Sequence, residues 1–196
     1  MKIFGIMAGA VIATAAGQAL AQDQFAECRA STVGEAAIGG PFELVDENGH
    51  TVTDADIITA PTLVYFGYTF CPDVCPLDTA RNGLAMEFLE EAGHEVNGAF
   101  ITVDPGRDTV EVVRDFTDVF HPRMVGLTGS DDQIRVAAQA YRAFYRAQRS
   151  GDEFYLVDHS SFTYLMLPEI GFAEFFRSGA SADEVAELTA CYIDNM

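Results

Sequence analysis

The chain has 196 residues, 49% of them hydrophobic, which is enough for one domain with a single sizeable core. Its 30 acidic residues outnumber its 11 lysines and arginines, and the formal net charge at pH 7 is −19. A surface this acidic repels nucleic acid and anionic lipid, so the composition argues against both as binding partners.

The first 21 residues have the pattern of an export signal. Lys2 supplies a positive charge, residues 3–16 form an uncharged apolar stretch, and Ala19-Leu20-Ala21 is a small-x-small cleavage site. The apolar stretch is shorter than the roughly 20 residues that a membrane-spanning helix needs. The sequence therefore predicts a cleavable signal peptide over 1–21 and a periplasmic location, with a retained membrane anchor as the alternative.

The part that follows the signal divides into a leader and a domain. Residues 22–40 lack clear periodicity and predict an irregular leader, and one folded domain is expected over 41–196. Two short strand-like segments flank Asn48-Gly49 at the start of this domain, which is typical of a β-hairpin. The apolar run over 61–67 is typical of a buried central strand, and it leads directly to Cys71.

Helices and strands alternate over the rest of the chain. Apolar residues at helical intervals predict a helix from Cys75 to Glu91, which Gly93 ends. The other predicted elements are a strand over 98–103, helices over 109–120 and 130–143, strands over 154–157 and 162–167, and a last helix over 181–192. This order predicts an α/β domain with parallel β-α-β units, which a thioredoxin-like arrangement accommodates. Sites in such folds form beyond the carboxyl ends of the parallel strands, where Cys71 falls.

Two cysteines of the domain lie close together, in Cys71-Pro72-Asp73-Val74-Cys75. A helix that begins at Cys75 favours thiolate there, because its dipole and free backbone amides stabilise negative charge. Two neighbouring thiolates form a soft site for Cu(I) or Zn, and they can also oxidise to a disulfide. An isolated C-x-x-x-C in an exported protein also fits a structural disulfide. The position between a buried strand and a helix favours a redox-active pair or a metal site, since both need rigid presentation.

His159 is the candidate third ligand. It lies in a predicted polar turn between two strands, next to Asp158, a carboxylate that can fix the tautomer of a ligand histidine. A turn histidine bonded only to nearby backbone is the alternative. His50, His94 and His121 occupy positions that are typical of the surface. Two sulfurs and one imidazole suit both Cu(I) and Cu(II), whereas Zn more often recruits a fourth protein ligand.

Four blocks of the sequence carry a resemblance to a known family. They cover residues 64–76 around the two cysteines, 101–109, 122–129, and 157–161 around His159 followed by 164–166. In order and spacing they resemble the Sco/SenC family of copper-binding proteins. The resemblance implies a thioredoxin-like fold with an N-terminal β-hairpin and inserted elements, and it implies copper, Cu(I) or Cu(II), bound by Cys71, Cys75 and His159.

The resemblance also implies a role. It predicts a copper chaperone that helps to assemble the dinuclear copper A centre of cytochrome c oxidase, with a copper donor protein and the copper A subunit as partners. Some relatives are thought to act instead as thiol-disulfide reductases for the cysteines of the oxidase subunit, or as redox sensors. Both alternatives stay open for this chain.

Two features depart from the family pattern. Most members keep a membrane anchor, whereas this N-terminus looks cleavable, so membrane association is expected only through a partner or an uncleaved N-terminus. Cys28 and Cys191 lie outside the family motif, near the two ends of the mature chain. They suggest an additional structural disulfide between the leader and the last helix, although four cysteines allow three pairings.

The sequence leaves two main classes of function in competition. A copper chaperone binds and transfers the metal without turnover, whereas a thiol-disulfide oxidoreductase uses Cys71 and Cys75 as a catalytic pair. His159 separates the two, because copper capture needs an imidazole ligand and thiol exchange does not. A thiol peroxidase is a weaker candidate, since the motif offers Thr69 but no arginine that is near in the sequence.

Overall fold

The computed structural model describes residues 25–29, 37–148 and 154–196. The predicted signal peptide over 1–21 lies outside these ranges, as does most of the predicted leader over 22–40. Within the described residues, no helix has the length and apolar character needed to cross a membrane.

Nine strands and five helices make up the described part of the chain. The strands are β1 (Glu43–Asp46), β2 (Thr51–Thr53), β3 (Thr62–Gly67), β4 (Asn97–Thr102), β5 (Met124–Thr128), β6 (Tyr145–Ala147), β7 (Val157–His159), β8 (Phe162–Leu167) and β9 (Gly171–Arg177). The helices are α1 (Asp54–Ile57), α2 (Val74–Glu91), α3 (Val110–Thr117), α4 (Asp131–Ala140) and α5 (Ala182–Asp194).

A seven-stranded mixed sheet forms the centre of the fold. The strand order is β2-β1-β5-β4-β3-β8-β9, and β6 and β7 pair separately as a two-stranded ribbon. Strands β3, β4 and β5 are parallel to one another, and the flanking strands are antiparallel. All six residues of β3 are buried, as expected for a central strand covered on both faces. The predicted α/β fold with an N-terminal β-hairpin is confirmed.

Local sequence signals explain where the helices begin and end. The Ser130 side chain accepts a hydrogen bond from the Gln133 backbone, and the Gln133 side chain accepts one from the Ser130 backbone, which opens α4. Ser181 caps α5 in the same way by accepting from the backbone of Glu184. Gly93 has a φ of +89° just after α2, a conformation that glycine adopts without strain. Gly93 is the residue at which the sequence predicts this helix to end.

A disulfide fixes the N-terminal turn over 25–28 to the last helix. Cys28 is bonded to Cys191, and their Cα atoms are 5.7 Å apart. The Phe25 ring packs against Tyr192 of α5, with ring centroids 5.1 Å apart, inside the apolar cluster between α2, α5 and the sheet. This is the pair of cysteines that the sequence analysis sets apart from the motif.

Seven elements differ from the sequence expectation. The short helix α1 and the strands β5, β6 and β9 are additional. Helix α3 ends at Thr117 rather than near 120 and α4 at Ala140 rather than 143, and β7 covers Val157–His159 where a strand over 154–157 is predicted. The ribbon also changes the setting of His159, which is the last residue of β7 and pairs with Tyr145 rather than lying in a turn. Strand β6 has only three residues, too few for a sequence pattern, so its pairing with β7 defines it.

Candidate metal centre

Three side chains converge beyond the carboxyl end of β3. One ligand atom from each of Cys71, Cys75 and His159 lies within 4.8 Å of the other two. The Cys75 Sγ atom is 3.2 Å from His159 Nε2, and the Cys75 backbone N–H donates to Cys71 Sγ at 3.4 Å. Both cysteines are free thiols. The fold therefore brings together the three residues that the sequence predicts as ligands.

Asp108 holds the loop that carries the motif. Its carboxylate accepts hydrogen bonds from the backbone N–H of Thr69 at 2.9 Å, from the Thr69 hydroxyl at 2.6 Å and from the Thr102 hydroxyl at 2.6 Å. Burial raises the pKa of Asp108, and the three donors oppose that effect. Thr69 comes two residues before Cys71, so Asp108 fixes the approach to the first cysteine. Asp108 lies in the block over 101–109 that carries the family resemblance, and its role in holding the motif loop was not predicted.

Helix α2 places the second cysteine in its first turn. Cys75 is 0% exposed and Cys71 is 8% exposed, so Cys71 lies nearer to solvent. Burial raises the pKa of the Cys75 thiol, which overrides the thiolate that the helix N-terminus is expected to favour. The prediction of a Cys75 thiolate is therefore corrected: without metal, the thiol keeps its proton and donates it toward His159 Nε2.

The β6–β7 ribbon places the imidazole against the cysteines. The ribbon is closed at this end by hydrogen bonds from the Ser160 backbone N–H to the Phe144 carbonyl and from the Phe144 N–H to the Ser160 hydroxyl. The rings of Tyr65 and Tyr68 meet the imidazole edge-on, with centroids 6.3 and 5.7 Å away. The ribbon and these two tyrosine rings therefore fix the orientation of the imidazole.

A backbone carbonyl selects the tautomer of His159. Nδ1 lies 3.0 Å from the Ser160 carbonyl oxygen, which only accepts hydrogen bonds, so this contact favours the tautomer protonated at Nδ1, in which the Nε2 lone pair faces Cys75. Burial lowers the pKa of His159, so the ring is neutral at pH 7. A neutral imidazole with a free Nε2 is the form that binds a metal ion.

The prediction that the Asp158 carboxylate fixes the tautomer of His159 is wrong. That carboxylate bonds the Arg146 and Gln148 side chains, and it makes no hydrogen bond to His159. The reason is geometric, because successive residues of a strand point to opposite faces. The Ser160 carbonyl takes over the expected function of fixing the tautomer.

A buried polar network lies behind Cys75. The Tyr65 hydroxyl donates to Asp78 at 3.2 Å, and the Arg81 guanidinium lies 3.5 Å from the same carboxylate. Arg81 also donates to the Thr163 hydroxyl at 2.8 Å, which ties α2 to β8. Burial raises the pKa of Asp78, and the charge of Arg81 acts in the opposite direction. Asp78, Arg81 and Asn82, spaced i, i+3 and i+4 on one helix face, are the sequence signal that could have revealed this network.

The remaining histidines lie apart from the centre. His50 is exposed and its Nδ1 lies 3.6 Å from the Asp46 carboxylate, and His94 Nε2 lies 3.6 Å from Asp194. The expectation that His121 lies at the surface is wrong, because it is 3% exposed. Its Nδ1 accepts a hydrogen bond from the Arg123 backbone N–H at 3.1 Å, so the ring fastens the chain just before β5.

The fold and the centre together define a class of protein. A central parallel sheet with two cysteines at a helix start, and a histidine facing them from a ribbon, is a thioredoxin-like domain with a soft three-ligand metal site. A sequence model of the SCO1/SenC family matches residues 30–194, and the chain belongs to this family.

Individual relatives agree with this assignment. Protein SenC of Rhodobacter capsulatus is 51% identical over 173 residues, which cover 88% of this chain and 78% of the relative. The mitochondrial SCO1 homolog 1 of Arabidopsis thaliana is 41% identical over 157 residues, which cover 80% of this chain and 47% of the relative.

Solved structures show the same fold. Arabidopsis thaliana ScoI with copper bound has a TM-score of 0.76 and 39% identity, and the match covers 81% of this chain and 99% of that one. Yeast Sco1 with copper bound also has a TM-score of 0.76, with 32% identity, and the match covers 82% of this chain and 91% of that one.

Proposed function

We propose that this protein is a copper chaperone that binds one copper ion through Cys71, Cys75 and His159 and delivers it to the copper A centre of cytochrome c oxidase. The observation that carries the proposal is the position of two sulfurs and a free imidazole nitrogen within 4.8 Å of one another. Thiolate sulfur is the ligand that Cu(I) prefers, and imidazole serves both oxidation states. The copper-bound structures of the Arabidopsis and yeast relatives support this choice of metal.

The residues of the centre have different parts in this function. The Ser160 carbonyl keeps His159 Nε2 available, and the Cys75 thiol occupies Nε2 until copper replaces the thiol proton. Cys71 is the more exposed of the two sulfurs, so it is the ligand that a donor or recipient protein reaches first. Asp108 fixes the loop that leads to Cys71, and the β6–β7 ribbon fixes His159 opposite the two cysteines.

The cellular setting belongs to the same proposal. Residues 1–21 act as a signal peptide that is removed on export, and 41–196 form the copper-binding domain in the periplasm. The charge and apolar pattern of the N-terminus supports export. A copper donor protein and the copper A subunit are the partners. A Cys28–Cys191 disulfide is stable in such an oxidising compartment.

Thiol-disulfide exchange is the second candidate function. Its supporting observation is that Cys71 and Cys75 are both free and adjacent, with the Cys75 N–H directed at Cys71 Sγ. A reductase for the oxidase subunit, or a redox sensor, would use this pair and would not need His159.

One variant separates the two functions. His159→Ala keeps both sulfurs but loses the nitrogen donor, so we expect Cu(II) binding to be lost or strongly weakened and thiol exchange with a model disulfide to persist. The variant is introduced into a deletion strain at limiting copper, and copper A oxidase activity is measured. Failure to restore the oxidase supports copper delivery. Full restoration contradicts it and leaves thiol exchange as the function.

A further inference from the structure

Exposed apolar side chains are concentrated on and next to helix α2 and the β6–β7 ribbon, which carry candidate ligands. Among the described residues, ten large hydrophobic side chains are exposed. Six of them belong to these regions: Phe70 before α2, Leu77 and Leu84 on α2, Phe144 before β6, and Phe154 and Leu156 before β7. The other four are scattered, and they are Val119, Val136, Ile170 and Met196. This distribution is not that of single exposed residues, which need no explanation.

The first group forms a stripe along helix α2. Leu77 and Leu84 are seven residues apart, which places them on one face about 10 Å apart. The opposite face carries buried residues such as Cys75 and Asn82, so the stripe points away from the sheet. Leu77 is 66% exposed although it lies in the first turn of α2, two residues after a ligand. The stripe therefore begins at the end of α2 nearest the metal centre, on the helix face opposite Cys75.

The second group lies on the outer face of the ribbon. Tyr155 and Val157 point inward, where the Tyr155 hydroxyl donates to Asp104 at 2.6 Å and Val157 is buried. Phe154 and Leu156 alternate with them and point outward, and Phe154 is 83% exposed. The segment that leads into β7 thus presents apolar side chains to solvent.

Arg107 joins the two groups. Its guanidinium carbon lies 3.7 Å from the centroid of the Tyr155 ring and 4.9 Å from that of the Phe70 ring. The Asp104 carboxylate pairs with Arg107 and also accepts the Tyr155 hydroxyl. Phe70 is therefore half exposed, and its ring packs on the guanidinium of Arg107, which the Asp104 carboxylate holds in place. A surface that is already ordered loses less conformational entropy when a partner binds.

The charges around the stripe define the partner. Asp73 lies at its start, and Glu87 and Glu91 lie at its far end, all three exposed and without an ion-pair partner in the described parts of the chain. The chain as a whole carries a formal net charge of −19. A complementary partner has an apolar face rimmed by lysine or arginine side chains.

We propose that these residues form the docking surface for the protein that receives the metal, an apolar face with a basic rim around its own metal ligands. The docking surface consists of Phe70, Leu77 and Leu84 on the α2 side and Phe154 and Leu156 on the ribbon side. The inference rests on the proposed function, because it names the surface through which that function is exercised. Apolar contact seats the partner beside Cys71, and the acidic residues at both ends of the stripe speed its approach.

The test measures copper transfer to the soluble copper A domain of the oxidase from the same source. The copper-loaded mature chain is mixed with the apo domain, and formation of the copper A absorption is followed. The variants Leu77→Ser/Leu84→Ser and Phe154→Ser/Leu156→Ser change side chains that do not contact the ligand atoms. The matched control is Val119→Ser/Ile170→Ser, which removes equally exposed apolar residues from elsewhere. Each protein is first checked for one copper per chain and an unchanged charge-transfer spectrum.

We expect each docking variant to slow the second-order transfer rate by at least about tenfold and the control to leave it unchanged. Higher salt should slow transfer by the unaltered chain, and Glu87→Lys/Glu91→Lys should do the same at low salt.

Docking variants that keep their copper and transfer at the normal rate overturn the docking surface and leave the chaperone function intact. Altered self-association in ultracentrifugation with normal transfer also overturns it, because the face is then an interface between two copies. Failure of the unaltered chain to bind or transfer copper contradicts the proposed function instead.

Discussion

The Sγ atom of Cys75 lies 3.2 Å from Nε2 of His159, although 84 residues separate them in the chain. Cys75 is held by the first turn of α2 and His159 by the end of the β6–β7 ribbon, so neither element alone forms the centre. The contact is a hydrogen bond from a protonated thiol to a neutral imidazole. It orients both side chains before any metal arrives.

Copper binding should release protons. Burial raises the pKa of Cys75 above its usual value, so the thiol is protonated at pH 7 and a metal ion has to displace that proton. The pKa of His159 is lowered, so the imidazole is already neutral and releases none. We expect Cu(I) affinity to rise about tenfold per pH unit for each proton released between pH 6 and 8. Calorimetry in buffers of different ionisation enthalpy measures the release, and a heat that does not depend on the buffer contradicts it.

Asp108→Asn should disturb the centre without touching a ligand. An asparagine amide has only one acceptor oxygen, whereas the carboxylate accepts these three hydrogen bonds with both of its oxygens, so at least one donor loses its acceptor. We expect a loss of about 1–3 kcal/mol in the free energy of unfolding and weaker Cu(I) binding. Urea denaturation and competition with a Cu(I) chelator measure the two effects. Asp115→Asn, on the exposed face of α3, is the control and should change neither.

Arg81→Leu should destabilise the protein in a pH-dependent way. It leaves the Asp78 carboxylate buried without its cation, and breaking a buried ion pair costs about 3–5 kcal/mol. Without Arg81 the pKa of Asp78 rises further above its unfolded value. The folded state then binds more protons than the unfolded state, so stability falls as pH rises from about 4 toward neutrality.

The control for Arg81 is an ion pair with the same spacing on another helix. Arg135 and Asp132 are also three residues apart, but both side chains are exposed. Arg135→Leu should cost less than about 1 kcal/mol at any pH. Urea denaturation at pH 5 and pH 8 makes the comparison, and equal losses for Arg81→Leu at the two pH values would contradict the buried-charge explanation.

Removal of the Cys28–Cys191 disulfide should reduce stability but not metal binding. The cysteines are 163 positions apart, and in the chain-entropy model a loop of that length contributes about 5 kcal/mol. We expect Cys28→Ser/Cys191→Ser to unfold at lower urea concentration and to bind copper with unchanged stoichiometry. Peptide mapping of the non-reduced protein checks the pairing. A peptide that links Cys28 to Cys71 or Cys75 would show that the pairing is different.

Asp158→Asn and His159→Ala should differ sharply although the residues are adjacent. The Asp158 carboxylate accepts hydrogen bonds from Arg146 and Gln148 on the outer face of the ribbon. Its replacement should therefore change copper affinity by less than about threefold. Replacing a residue that orients a metal ligand lowers metal affinity by about 10- to 100-fold. His159→Ala removes a donor atom and should abolish the Cu(II) charge-transfer absorption. Titration of both variants with Cu(II) tests this. A large loss of copper affinity in Asp158→Asn would show that Asp158 does orient His159.

The sequence predicts the ligands better than their surroundings. Cys71 and Cys75 stand out because a short motif follows a strand-like apolar run, and His159 stands out through the resemblance of its block. The partner of His159 could not be predicted, because the choice between Asp158 and the Ser160 carbonyl depends on which face of β7 each group occupies. The state of the Cys75 thiol depends on burial by distant residues, and no local pattern reports that. The same limit hides β6, whose three residues become a strand only by pairing with β7.

The Cys28–Cys191 bond closes most of the chain into a covalent ring, and all three candidate ligands lie inside it. A single backbone cut anywhere between the two cysteines opens this ring without releasing a fragment. A cut between Cys75 and His159 leaves the two cysteines on one piece and the histidine on the other, and the disulfide keeps both pieces in the same molecule at high effective concentration. In the periplasmic setting proposed above, the chain would thus tolerate one backbone cut and still present both sulfurs and the imidazole to the metal.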